Sequence, residues 1–134
     1  MNVGLGEQRK TVLLVDEDPH ARAVLRNALE AAGFSVGEAA SAFEGERTAR
    51  RIHPDAILTD VLMETHYSDE TVERLRELGR RIPIYIVSSA ADALVGGIGL
   101  RDLGVAGLFL KPVDPAIVVQ TLRTRLVPRP VQGR

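Results

Sequence analysis

The feature that most constrains this sequence is a fivefold alternation of short apolar runs with segments of helical periodicity. Thr11-Val12-Leu13-Leu14-Val15 favours a strand and stops abruptly at Asp16-Glu17-Asp18. A strand wetted on one face alternates apolar with polar residues, whereas an unbroken run suits a strand buried on both faces, as in a parallel sheet. Asp18-Pro19 then reads as a helix start, with a carboxylate at the N-cap and proline at the first helical position. Ala21, Val24, Leu25, Ala28, Leu29 and Ala32 recur at three- and four-residue intervals and predict one apolar face, with Gly33 as the stop.

The pattern repeats along the chain. Residues 34–39 form a weaker strand, and Ser41 with Glu44 predicts a capping box opening a helix to about His53. Asp55 to Asp60 reads as a strand ending in a carboxylate. Ser68 or Asp69 opens a helix closed by Gly79, and Pro83 to Val87 is an apolar run ending in Ser88-Ser89. Residues 92–103 read as a poor helix, weakened by Gly96, Gly97 and Gly99. Ala106 to Leu110 is the last strand, ending in Lys111-Pro112. Asp114-Pro115 repeats the earlier cap, with Ile117, Val118, Leu122 and Leu126 facing the core. Five strand–helix pairs predict an α/β fold: a parallel sheet with helices on both faces.

Composition narrows the chemistry. The 134 residues suit one domain, expected over 10–127 between a loosely ordered segment 1–9 and a tail 128–134. Seventeen basic against eighteen acidic residues leave a net charge of −1, so bulk charge offers no means of binding nucleic acid. The absence of cysteine excludes disulfides, thiolate metal sites and a thiol nucleophile. No apolar run approaches the roughly 20 residues that span a bilayer, and residues 1–10 lack the apolar core of a secretory signal. The expectation is a single cytoplasmic domain without a membrane partner.

In open parallel sheets, ligands bind outside the carboxyl ends of the strands. Those ends carry Asp16, Glu17 and Asp18, then Asp60, then Ser88-Ser89, then Lys111. Two carboxylates about 4 Å apart repel by roughly 4 kcal/mol at an effective dielectric of 20. Such a cluster calls for a cation, and an all-oxygen site suits Mg²⁺ better than Zn²⁺. A carboxylate beside a metal, a lysine and a hydroxyl is arranged to accept a phosphoryl group as a nucleophile.

The same residues carry a resemblance. Val12-Leu13-Leu14-Val15-Asp16-Glu17-Asp18-Pro19, Pro54 to Asp60, Pro83 to Ser89 and Gly107-Leu108-Phe109-Leu110-Lys111-Pro112 are together similar to the receiver domains of two-component response regulators. The resemblance implies a doubly wound, flavodoxin-like sheet of order 2-1-3-4-5. It implies Asp60 as phosphoacceptor, Ser88 as switch hydroxyl, Lys111 as phosphate-pairing lysine, and Asp16, Glu17, Asp60 and Leu62 as the Mg²⁺ set. It further implies a histidine kinase or phosphotransfer protein as donor, a homodimer through the face after strand four, and a cis Lys111–Pro112 peptide.

The chain also departs from that family's pattern. Met63 is followed by Glu64 where proline is usual, Ser68 stands near a usual glycine, and Ser89 replaces an alanine. Leu108 takes the place of the switch aromatic, with Phe109 pointing to the opposite sheet face. Two other readings compete with a phosphoacceptor: a phosphorylation-independent interaction module, and an aspartate-nucleophile phosphohydrolase using Asp16 and Asp18. His20 and His53 read as solvated positions, and His66 lies in the loop beside Asp60. The basic end, with Arg123, Arg125, Arg129 and Arg134, reads as a solvated tail.

Overall fold

The computed structural model describes residues 9–60, 77, 82–88 and 104–126. In chain order these form β1 (Thr11–Val15), α1 (Pro19–Ala31), β2 (Ser35–Ala39), α2 (Ala42–Ile52), β3 (Ala56–Thr59), β4 (Ile84–Ser88), β5 (Gly107–Leu110) and α3 (Pro115–Leu126). The helices expected over 68–79 and 92–103 lie outside the described residues except for Glu77, as do the terminal segments except Arg9.

All four strand pairings are parallel, and the sheet has the order β2-β1-β3-β4-β5. Successive side chains in a strand point to opposite faces. On one face Leu13, Val15, Ile57, Ile84 and Ile86 pack with Ala42 and Ala49 of α2. On the other, Val12, Leu14, Ala56, Leu58, Tyr85 and Val87 pack with Leu25 and Leu29 of α1 and with Val118 and Leu122 of α3. Burial on both faces is why β1, β3 and β4 are unbroken apolar runs. The edge strand β2 has only Ala39 fully buried, which accounts for its glycine and glutamate. Among the described residues, no helix is long and apolar enough to cross a membrane.

Helix ends follow the sequence closely. Asp18 caps α1 by accepting the His20 N–H at 2.9 Å, and Asp114 accepts from Ala116 N–H at 2.9 Å. Gly33, just past α1, sits at φ +101°, a conformation that costs glycine nothing and other residues dearly. Ser41 accepts from Glu44 N–H, but Glu44 reaches back to Ala40 N–H, one residue earlier than a standard capping box. Gly45 lets α2 approach β1: a Cβ there would stand 3.1 Å from the Val15 side chain.

Two expected core residues face solvent instead. Val24 is 53% and Ile117 54% exposed. A helix turns about 100° per residue, and α1 and α3 are seated on Leu25/Leu29 and Val118/Leu122. Each exposed residue directly precedes a seated one and is rotated out to the rim. Leu122→Ala should therefore lower stability by about 2–5 kcal/mol, whereas Ile117→Ala should stay within about 0.5 kcal/mol of the parent. Urea denaturation compares them; equal losses would contradict this seating of α3.

Candidate functional site

The site begins where β1 and β3 end. Asp16 follows β1; its N–H donates to Ala39 O at 3.0 Å, and its Oδ1 accepts the Asp18 N–H at 2.9 Å. Asp60 follows β3, and its N–H donates to Val15 O at 2.9 Å. Each acid is thus anchored to the neighbouring strand. Lys111 follows β5, with its own N–H donating to Ser88 O at 2.8 Å. The Lys111–Pro112 peptide is cis, as expected.

From there the lysine reaches back over the end of the sheet. Its Nζ donates to Asp60 Oδ2 at 2.8 Å and pairs with Asp16 Oδ2 at 3.3 Å. One ammonium is therefore shared by two carboxylates from different strand ends. Burial pulls the Lys111 pKa down, but the Asp60 hydrogen bond and the charges of Asp60 and Asp16 outweigh it, leaving the pKa above the usual lysine value. Ser88 closes β4 between them, with only 1% of its surface exposed.

The structure does not gather the expected residues uniformly. Asp16, Asp60 and Lys111 come together, and Ser88 lies on the intervening strand. Glu17 is exposed, and among the described residues no group of three or more acids and histidines is close enough to hold a metal. The Asp16–Asp60 pair is still an all-oxygen set of the kind Mg²⁺ accepts, since that ion keeps several waters and needs only one or two carboxylates. Leu62, Glu64, His66 and Ser89 lie outside the described residues. His20 and His53 are exposed, and His53 ends α2 in a left-handed conformation. Asp18 is exposed and caps α1, its Oδ1 accepting the His20 N–H.

Arg22 is a neighbour the motifs did not reveal. Its guanidinium donates from NH1 to the Asp16 carbonyl and from Nε to Glu38 Oε1 at 2.8 Å. The signal was weak: an arginine one turn into α1 and a glutamate in the least apolar strand.

The raised Lys111 pKa has a definite pH signature. A lysine whose pKa is higher folded than unfolded stabilises fully below the unfolded value, about 10.4, and loses that contribution as pH rises through the folded one. The stability difference between the parent and Lys111→Met should therefore shift against the parent above about pH 10.4. Denaturation at a series of alkaline pH values measures it, and a pH-independent difference would contradict the shared-ammonium geometry.

Residues 12–123 match the response regulator receiver domain family. The chain is 30% identical over 128 residues to the transcriptional regulatory protein PrrA of Mycobacterium leprae, covering 94% of this chain and 53% of that protein. It is 30% identical over 120 residues to the nitrate/nitrite response regulator protein NarL of Escherichia coli K12, covering 87% and 54% respectively. The chain thus spans about half the length of these curated relatives. Among solved structures, chemotaxis protein CheY4 of Vibrio cholerae superposes with a TM-score of 0.76 at 27% identity, covering 89% of this chain and all of that one. With the sheet order and the strand-end acids already in place, these matches identify the chain as a member of the response regulator receiver domain family of two-component signalling.

Proposed function

We propose that this receiver domain accepts a phosphoryl group on Asp60 from the phosphohistidine of a histidine kinase or phosphotransfer protein. The observation that carries this reading is the Asp60–Lys111–Asp16 contact at the carboxyl ends of three strands. An Asp60 oxygen attacks phosphorus while the phosphorus–nitrogen bond breaks, and the electron pair returns to the donor imidazole. The product is an acyl phosphate. Asp60 gives up its own negative charge in that step, and the phosphoryl oxygens carry charge in its place. Lys111, held on Asp60 Oδ2 beforehand, is placed to follow the charge outward.

Ser88 donates its hydroxyl to a phosphoryl oxygen in this reading. Asp16, Glu17, Asp60 and Leu62 would hold Mg²⁺, which when bound supplies positive charge to the phosphoryl oxygens. Phosphorylation then biases two arrangements of the face after strand four, where a homodimer would form. Most of that face lies outside the described residues. Leu108 in place of an aromatic favours the competing reading, a module whose contacts ignore phosphorylation.

Incubation with a small phosphodonor and Mg²⁺, followed by mass spectrometry, separates the two. The parent should gain one phosphoryl group, Asp60→Asn none, and Lys111→Met should react about 10² slower, the cost of removing one oriented donor to the developing charge. A parent that gains nothing would support the interaction module, and an Asp60→Asn protein modified like the parent would overturn the site.

A further inference from the structure

Resting on that reading, we propose that Arg22 is a positioning residue of the site: it holds the main chain of Asp16 so that the Asp16 carboxylate meets Lys111, Asp60 and the divalent cation. Asp16 sits on the turn between β1 and α1, where strand pairing ends. Its N–H is fixed by Ala39 O, and its Oδ1 by the Asp18 N–H. The Asp16 carbonyl takes NH1 of Arg22. With those atoms fixed, Oδ2 faces the ammonium.

Arg22 is itself braced. Its Nε is held by Glu38 Oε1, while Glu38 Oε2 pairs with Arg26, which also reaches Glu30 at 3.1 Å. The Arg22 and Glu38 side chains are only 16% and 25% exposed, so solvent competes weakly for this pair. The brace spans α1 and the edge strand and ends on the first acid of the site. A guanidinium makes two such contacts at fixed angles; an ammonium is a single point charge and does not.

The test uses Arg22→Met, which keeps the apolar stem and removes both donors, and Arg22→Lys, which keeps the charge. Two readouts are taken on folded protein: Mg²⁺ titration without phosphodonor, and amide hydrogen exchange. Arg22→Met should weaken Mg²⁺ binding about 10- to 100-fold, the range seen when partners that orient a ligand are removed. Exchange should accelerate at Asp16 and Asp18 beyond any change in Val12–Val15. Arg22→Lys should resemble Arg22→Met. A uniform loss of protection through β1 and α1 with unchanged Mg²⁺ affinity would show a purely structural arginine, and full rescue by lysine would show that charge alone matters; either overturns the proposal. Should the parent bind no Mg²⁺, the exchange pattern decides. Failure of the parent to take up phosphate, with the Arg22 effects intact, would instead count against phosphoryl acceptance by Asp60.

Discussion

Burial of the central strands on both faces organises everything else in this domain. Leu13, Ile57 and Ile84 face one helical layer while Val12, Leu58 and Tyr85 face the other, so neither surface of the sheet centre has room for charge. An unpaired ion there would be too costly to hold. Polar chemistry is displaced to where the strands stop, and the parallel arrangement brings all the carboxyl ends to one edge. Asp16, Asp60 and Lys111 stand one residue beyond β1, β3 and β5, where main-chain N–H groups still pair with the neighbouring strand. The sheet thus supplies rigidity up to the atom before the chemistry begins.

At that edge, charge arithmetic determines the resting arrangement. Two carboxylates on adjacent strands would repel, and the ammonium of Lys111 offsets the repulsion by touching both. This links strand five to strands one and three across β4, a connection the backbone ladder does not make. The strength of the link explains why the lysine holds its proton more tightly than usual despite partial burial. The same lysine is attached, through its N–H, to Ser88 O, so one residue joins the Asp60 carboxylate to the end of β4.

Much of this was legible in the sequence because it depended on local rules. The unbroken apolar runs gave the parallel sheet, and the Asp-Pro pairs gave two helix starts, since each rests on a few adjacent residues. Strand order and residue roles rested on the family resemblance. What escaped depended on rotation and distance. Val24 and Ile117 match the helical period but lie one residue off the seated stripe, a difference of about 100° that intervals alone do not resolve. Arg22 and Glu38 are sixteen residues apart and meet only because α1 returns the chain to β2 beside β1. No motif marks such a pair.

Strand five shows how a substitution redirects packing without disturbing the site. Phe109 lies on the α1/α3 face, stacked on Tyr85 with ring centroids 5.3 Å apart and planes inclined at 27°. Leu108 packs on the opposite face against the cluster containing Ile84 and Ile86. The aromatic bulk of β5 is therefore fastened to the helical layer that carries Val118 and Leu122, where a stacked pair adds about 0.5–1.5 kcal/mol beyond its buried area. A ring held there does not swing between core and solvent at Leu108's position. The register still places Lys111 one residue past the Ser88–Leu110 pair. Its reach to Asp60 depends on strand pairing, and strand pairing is indifferent to which of two neighbours is aromatic.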